Sequence, residues 1–457
     1  KKSDVSKTWH KHNMAFLTEA ANRGSISTGY DIDNSCKFEA DNSEYLNRTP
    51  GANGSLTTWT TSVWVKRTEI GVDQAVFSSV SSAQTTNFCR FLSSDKIRFY
   101  FQPNDVAATY YADTNAVFRD TSAWYHIVWG LDSTNSDGSK RFVVYVNGVY
   151  QESTWAGSAT ASTNCPQNSG SRFLQSEPIY IGNATYTNGH YFNGYMAELH
   201  VLDGIAPDPT DFGEYDEDSG IWKPKAYTGS HGTQGFYLDF ADAADLGDDE
   251  SGNGNDFTEN NITSADQATD TPTNNFCTIN PLINYYGSVS EGATKWLHTA
   301  GGDGWESFVA TMGAGTSGKW YAEFKFVDSD NDNFIGICPI DDPDLNRGAD
   351  HFAFYGSDTS LDESVGYYAS NGQRYIGGGG SAYGNTWART NIMSIAVDMD
   401  NGKLYFAKDG VWQNSGDPTS GATGTGALDV RGATKPQSLG ASNYTSGEDI
   451  LANYGGF

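Results

Sequence analysis

Apolar and polar residues alternate with a period of two over many short stretches of the chain. In the first half these are Thr60–Lys66 (TTSVWVK), Lys96–Gln102 (KIRFYFQ), Trp124–Gly130 (WYHIVWG), Arg141–Asn147 (RFVVYVN), Pro178–Gly182 (PIYIG) and Tyr195–Asp203 (YMAELHVLD). In the second half they are Lys319–Val327 (KWYAEFKFV), Asn333–Cys338 (NFIGIC), Ile392–Asp398 (IMSIAVD) and Lys403–Lys408 (KLYFAK). Neighbouring side chains in a strand point to opposite faces, so this alternation predicts strands with one face in a core. Asn147-Gly148, Asp137-Gly138, Asn371-Gly372, Asn401-Gly402 and Asp409-Gly410 punctuate them. Asn-Gly and Asp-Gly supply the positive φ that tight hairpin turns need. The predicted class is all-β: two tandem antiparallel β-sandwiches with little helix. By alternation Trp64, Trp124, Trp129, Trp320 and Phe324 are core residues. Helical spacing occurs only over Asp4–Ala21 and in a short turn after Pro209, spanning Asp211 to Glu214.

Composition narrows the function. The 457 residues carry a net charge of −28, and 14% are aromatic. An acidic chain argues against a nucleic-acid partner, because phosphate binding needs clustered Lys and Arg. The aromatic content argues against disorder. No apolar run reaches the length of a membrane span, and Lys1–Asn13 does not read as a secretory signal. The five cysteines, Cys36, Cys89, Cys165, Cys277 and Cys338, have no disulfide or zinc spacing and read as isolated thiols.

Charge divides the chain. Asp203–Asp270 holds 17 acids against Lys223 and Lys225, whereas Lys1–Asn13 has four lysines and one Asp. The expected organisation is an N-terminal attachment segment (1–24), a first sandwich (25–205), an acidic packed connector (206–286) and a second sandwich (287–457). The basic, helical-pattern N-terminal segment reads as an attachment or oligomerisation element, drawn to acidic neighbours by an attraction that salt screens.

The motifs TTSVWVKR, WYHIVWG, VYVNGV, IYIG and FNGYMAELHVLD, in that order, resemble the laminin-G-like, concanavalin A-like jelly roll. GKWYAEFKF, FIGI, GYYASNGQRY and IAVDMDNGKLYFAKDG resemble a SPRY domain, also a two-sheet sandwich. The two in tandem, joined through SGNGNDF and TPTNNF, resemble structural or tail-fibre-like proteins of marine bacteriophages. That resemblance implies a start at Met14, with Lys1–Asn13 departing from the group, and a chain that continues beyond Phe457.

Four kinds of chemistry are weighed. Laminarinase-type hydrolysis needs paired carboxylates about 5 Å apart on one strand, as E-x-D-x-x-E. Here Glu198 and His200 share a face, Asp203 falls on the other, and Glu198 reads as an ordinary strand residue. Asp328, Asp330 and Asp332 open like a calcium loop, but Asn333 and Pro339 stand where Gly and Glu belong. Asp248, Asp249, Asn253, Asn255 and Asp256 form a second oxygen-rich loop. Calcium is thus the candidate cation and no cofactor is required; the alternative for both loops is a solvated acidic turn. For sugar binding, aromatic faces beside Asn, Asp and Gln are the signal. Tyr110, Tyr111, Tyr186, Tyr191, Tyr367, Tyr368, Tyr375, Tyr383 and Trp387 qualify as loop aromatics, with Gly377–Gly380 marking a loop open to close approach.

These readings converge on a non-enzymatic virion structural and adhesion protein, a fibre, knob or surface appendage. The expected ligand is a host-surface glycan or protein, with other virion proteins as partners, a homo-oligomeric state and exposure on the particle surface. The alternatives are a bacterial surface or secreted lectin-like adhesin and, behind it, a polysaccharide-active hydrolase. Replacing Tyr375, Tyr383 and Trp387 is expected to weaken attachment more than Glu198→Gln.

Overall fold

A computed structural model describes residues 29–81, 84–103, 110–157, 165–184, 189–283, 287–299, 301–327, 331–340, 354, 364–430 and 435–455. The attachment segment 1–24 lies outside them. The fold is all-β: strands form antiparallel sheets, and the only helical elements among the described residues are 3₁₀ turns such as Pro209–Asp211. No helix among the described residues is long and apolar enough to cross a membrane. The chain divides between Asn275 and Phe276 into two compact units.

Strands of the first unit are β1 (Ser35–Phe38), β2 (Tyr45–Arg48), β3 (Thr58–Arg67), β4 (Gln74–Ser81), β5 (Gln84–Phe91), β6 (Ile97–Phe101), β7 (Tyr110–Thr114), β8 (Tyr125–Asp132) and β9 (Phe142–Val146). They continue as β10 (Val149–Tyr150), β11 (Ser153–Gly157), β12 (Ile179–Ile181), β13 (Gly194–Asp203), β14 (Gly213–Tyr215), β15 (Trp222–Pro224), β16 (Phe236–Leu238), β17 (Thr258–Asn260) and β18 (Gln267–Ala268). The front sheet runs β10-β9-β8-β3-β13-β1-β18, with β16 also on β13. The back sheet runs β11-β7-β6-β5-β4-β12-β2-β17. Between them lies a core that includes Trp59, Val63, Phe77, Phe99, Trp129 and Met196. Asn147 and Gly148 both have positive φ in the β9–β10 hairpin, as their sequence predicts.

The centre of the front sheet is buried on both faces: β3 and β13 are almost wholly inaccessible, where alternation predicts one wet side, while the edge strand β10 is exposed. The reason is the stretch expected to be a connector. Residues 206–275 of it belong to the first unit and pack over the outer face of the front sheet. It also adds β16 and β18 to the front sheet and β17 to the back sheet. Trp222 of β15 packs so closely that a Cβ on Gly148 would come within 2.4 Å of its ring.

A buried ion pair anchors this third layer. The Lys66 ammonium, on the outer face of β3, contacts Asp270 Oδ2 at 2.6 Å and donates to Asn275 Oδ1 at 2.8 Å. Trp124 Nε1 donates to Asp270 Oδ1 at 3.0 Å, and Asn275 Nδ2 to the Ser122 carbonyl at 2.7 Å. Both charges are removed from water, so each must be compensated by the other and by these hydrogen bonds.

The second unit is likewise a two-sheet antiparallel sandwich. One sheet orders Gly287–Ser290, Lys295–His298, Asp449–Asn453, Lys319–Phe326, Ile392–Asp398, Lys403–Lys408 and Val411–Trp412, with Leu428–Asp429 also on Lys403–Lys408. The other orders Glu306–Val309, Gln437–Asn443, Asn333–Pro339, Val365–Tyr368, Gln373–Ile376 and Gly379–Ala382. Trp296, Phe324, Ile335, Tyr367 and Phe406 are in its core. Of the five aromatics expected in cores, Trp64, Trp124, Trp129 and Phe324 are buried and Trp320 is half-buried.

The ion pair makes a quantitative expectation. Asp270→Ala removes the carboxylate facing the Lys66 ammonium and should cost about 3–5 kcal/mol in urea unfolding of the first unit, whereas Lys66→Met with Asp270→Leu should cost far less. A single-variant loss below ~1 kcal/mol, the range of exposed pairs, would show that the pair is solvated.

Candidate functional site

Because 206–275 covers the front sheet, the outward face of the first unit's back sheet is where strand side chains remain open. The strand pattern builds that face. In β6, Ile97, Phe99 and Phe101 point into the core, so Arg98 and Tyr100 point out. In β7, Tyr110, Ala112 and Thr114 point in, so Tyr111 and Asp113 point out. The register then aligns Tyr111 with Tyr100, Tyr100 with Phe88, Phe88 with Ser78, Ser78 with Tyr180, Tyr180 with Asn47 and Asn47 with Thr258. One row of outward-pointing residues crosses seven strands in this way; Tyr111, Tyr100 and Tyr180 are half-buried, and Phe88 and Ser78 between them are buried. From Tyr111 to Tyr180 it spans roughly 20 Å at ~4.8 Å per strand.

Aromatic rings dominate the row. Phe88 and Tyr100 stack at 4.8 Å with planes 7° apart, and Tyr100 and Tyr111 at 6.5 Å and 20°. On the other side of Ser78, Tyr45 lies 5.9 Å from Tyr180 and 6.2 Å from Tyr191. Charged forks flank the first cluster. Arg98 sits 4.7 Å over the Tyr111 ring and donates to both oxygens of Asp113, at 2.6 and 2.8 Å. Arg90 sits 4.7 Å over Phe88 and 3.6 Å from Asp73. The bond to Asp113 raises Arg98 above its ordinary pKa; burial raises Tyr100 and Tyr45. The arrangement offers flat apolar faces with fixed donors and acceptors at their edges. That suits a ring with one apolar face and a hydroxylated rim.

The expected residues divide. Tyr111 and Tyr191 lie on this face, half-buried. Tyr110 does not: it points inward onto Phe101. Tyr186 lies outside the described residues. In the second unit, Tyr367, Tyr383 and Trp387 are core residues rather than loop aromatics. The Tyr367 hydroxyl donates to the Asn385 carbonyl, and Trp387 packs 5.0 Å from Phe326. Tyr375 is half-buried on a strand, against Phe334 and Tyr368. Gly377–Gly380 is no open loop: Gly377 and Gly378 form the two-residue turn of a hairpin and Gly379 and Gly380 belong to its second strand. Sequence reasoning missed Phe88, Tyr100, Tyr180, Arg90 and Arg98. The alternation in KIRFYFQ already assigns Arg98 and Tyr100 to the outer face.

The oxygen-rich loop is committed internally. Asp249 accepts from the backbone N–H of Tyr237, Ser251 and Asn255 at 2.8, 3.0 and 2.8 Å, and from Ser251 Oγ at 2.9 Å. Asp256 accepts from Asp249 N–H. Asn253 and Asn255 donate to carbonyls of residues 232–235, and Asn255 Oδ1 accepts from Arg48. Asp248 is half-buried beside them. These oxygens hold two turns together. Asp328 and Asp330 lie outside the described residues, and Asp332 accepts from the Tyr368 hydroxyl. Among the described residues no three His, Cys, Asp or Glu side chains are grouped to hold a metal ion.

Glu198 is not an ordinary strand residue. It occupies a bulge where β13 changes partner from β1 to β16, with φ of +49°. Its carboxylate accepts from the hydroxyls of Tyr30 at 2.6 Å and Tyr237 at 2.7 Å, with His200 Nε2 at 3.5 Å. Burial alone would raise its pKa; His200 and the two hydroxyls overcome that and lower it. His200 stacks on Tyr237 at 4.1 Å and meets His231 at 3.1 Å. The space beside Glu198, lined by Ser62, Trp64, His200 and Phe212, has no room for a water molecule. Nearby His126 is sandwiched between Trp64 and Trp222. Trp222 Nε1 donates to its Nδ1, which leaves Nε2 to donate to Ser62 Oγ.

Residues 40–207 match the family described as the concanavalin A-like lectin/glucanases superfamily. No curated protein matches the sequence. Among solved structures, the chain is similar to a human SPRY domain (16% identity, 37% of this chain and 96% of that chain, TM-score 0.28). It is also similar to a heptameric SAP-like pentraxin from Limulus polyphemus (16% identity, 38% of this chain and 78% of that chain, TM-score 0.28). A further similar structure is a putative carbohydrate binding protein from Bacteroides ovatus (15% identity, 52% of this chain and 60% of that chain, TM-score 0.34).

The buried histidines set a pH dependence. Burial pushes His126 down to about 3 and His231 to about 4, so both fold as neutral rings. Their contribution is complete above the unfolded value near 6.5 and is lost as pH falls below it. For His126 the loss approaches ~1.4 kcal/mol per pH unit until about pH 3. Glu198 adds a loss as pH falls below the ordinary carboxylate range. Stability of the first unit, measured by urea unfolding from pH 7 to 4, should fall steadily, and His126→Gln should flatten the slope. A flat wild-type profile would contradict neutral burial.

Proposed function

We propose that the chain is a non-enzymatic adhesion protein that binds an extended glycan along the outward row of the first unit. The row itself carries this reading: Tyr111, Tyr100, Phe88 and Tyr180 in register, edged by Arg98, Asp113 and Arg90. A row across strands favours a chain of sugars over a single ring. The concanavalin A-like lectin/glucanase match over residues 40–207 agrees with a saccharide ligand. The closed, tyrosine-capped surroundings of Glu198 support binding over hydrolysis. The tandem order of the two sandwiches supports a virion surface appendage, homo-oligomeric and held to other virion proteins, with the glycan on the host surface.

The test is a glycan array, then titration of the best polysaccharide. Tyr100→Ala and Tyr180→Ala should each weaken binding about tenfold or more, the scale of one buried aromatic anchor (~1.4 kcal/mol per tenfold). Tyr383→Ala should instead lower stability, since Tyr383 is core. Glycan binding indifferent to both row variants would overturn the site. Release of reducing ends, lost in Glu198→Gln, would overturn the non-enzymatic reading. Antibody against the chain should label intact particles of the virus; unlabelled particles would remove the virion role and leave the glycan reading standing.

A further inference from the structure

We propose a second, separate saccharide pocket on the first unit, taking one or two neutral sugar rings, at the β9–β10 end of the front sheet. This proposal has its own cavity and does not rest on the aromatic row. The cleft has a volume of about 430 Å³, within the size of small-ligand sites. Its floor is Val143, Ala206 and Pro207, and its aromatic wall is Tyr145 and Tyr150.

The backbone builds it. Thr60, Gly130 and Val143 align across β3, β8 and β9, facing outward. Gly130 lacks the side chain that would meet Pro207: a Cβ there would lie 3.1 Å from the Pro207 Cβ. Gly204 N–H donates to the Thr58 carbonyl and Thr60 Oγ1 to the Ile205 carbonyl, which pins 204–207 down as one side. Tyr145 and Tyr150 are register partners, with rings 5.8 Å apart at 70°. They form an apolar corner at which Tyr150 is 44% exposed.

The opposite rim is polar and braced. Asp132 Oδ1 accepts from Thr134, and Asn135 Oδ1 from Asp137 N–H. Arg141 donates to the carbonyls of Asn135, Ser136 and Cys165. That leaves Asp132 Oδ2 as an acceptor, and Asn135 Nδ2 and Lys140 Nζ as donors, with no hydrogen-bond or ion-pair partner among the described residues. Among the lining residues one carboxylate, Asp132, balances one ammonium, Lys140, with the carboxylates of Asp208 and Glu152 beyond the tyrosines, and the rim offers both donors and an acceptor. An anion would face Asp132, a cation would face Lys140, and an apolar ligand would desolvate both. A neutral ring of hydroxyls, each both donor and acceptor, satisfies the rim while its C–H face covers the tyrosines.

Full-length Tyr100→Ala/Tyr180→Ala protein, with the row disabled, is titrated with methyl glycosides of glucose, galactose, mannose, N-acetylglucosamine and glucuronic acid. Saturation-transfer NMR detects binding and calorimetry measures it. At least one neutral glycoside should bind. Adding Tyr150→Ala or Asn135→Asp should weaken it about tenfold, the scale of one anchor or one reversed hydrogen bond. Asn135→Asp keeps an oxygen for the Asp137 N–H while exchanging the donor for a charged acceptor, so Asn135→Ser, which removes the donor without adding charge, is the control, and unfolding midpoints check that the variants fold. No binding by any glycoside in the row-disabled protein, preference for glucuronate, or binding unmoved by both added changes would each overturn the pocket. Loss confined to the row variants of the wild-type protein would sustain the row and sink the pocket.

Discussion

The burial of Lys66 decides which surface of the first unit is available for work. An ammonium at the outer face of a central strand has no tolerable dry environment without a counter-charge. Asp270 supplies it from 68 residues beyond Leu202, and with Trp124 and Asn275 it ties 206–275 across the front sheet. Once that layer is in place, Trp222, Phe212 and Leu202 are interior and the front sheet loses its wet face. On the back sheet Tyr100, Tyr111 and Tyr180 stay half-buried, while Phe88 and Ser78 between them are buried. One cleft lies where the covering layer begins, at Ala206 and Pro207.

Strand positions and hairpin turns were legible because they depend on local rules. Asn147-Gly148 and Asp409-Gly410 both adopt the paired positive φ that their sequences call for. Which aromatics are exposed was legible only where parity is unambiguous. KIRFYFQ separates Arg98 and Tyr100 from Ile97, Phe99 and Phe101 without help from tertiary structure. Tyr110-Tyr111 and Tyr367-Tyr368 are adjacent pairs, so alternation sends one of each pair inward without saying which. Tyr383 and Trp387 follow glycines and resemble a loop, yet they fill the core beside Phe406 and Phe326. That 206–275 packs on a sandwich was legible from its aromatics; that it adds strands to both sheets of the first unit was not, and only long-range pairings such as Leu199 with Leu238, Cys36 with Gln267 and Asn47 with Thr258 reveal it.

The acidity of the chain has a structural use in its turns. Asp132, Asp137, Asp208, Asp242 and Asp417 each accept the N–H of the residue two positions on. Asp249 closes three backbone donors at once. A short carboxylate can satisfy turn N–H groups that no strand pairs, and an all-β chain has many such turns. Bonds of this kind lower Asp137, Asp216 and Asp417 below the ordinary carboxylate range. The oxygen-rich loop at 248–256 belongs to the same economy, with its lone pairs directed at the chain's own N–H groups.

Glu198 shows how the same face can discourage chemistry while looking equipped for it. A carboxylate and an imidazole two residues apart on a strand are the raw material of acid–base catalysis. Here the strand bulges at Glu198 because β13 must pair with β1 below it and β16 above it, and a positive φ absorbs the change. The bulge turns the carboxylate toward Tyr30 and Tyr237, whose hydroxyls occupy one oxygen each. A general acid needs a raised pKa and a substrate within hydrogen-bond reach; Glu198 has a lowered one and no adjoining space for water. Its hydrogen bonds instead join Tyr30, β13 and β16 into one polar joint beneath the covering layer. The charge that could have served a reaction instead holds the joint closed.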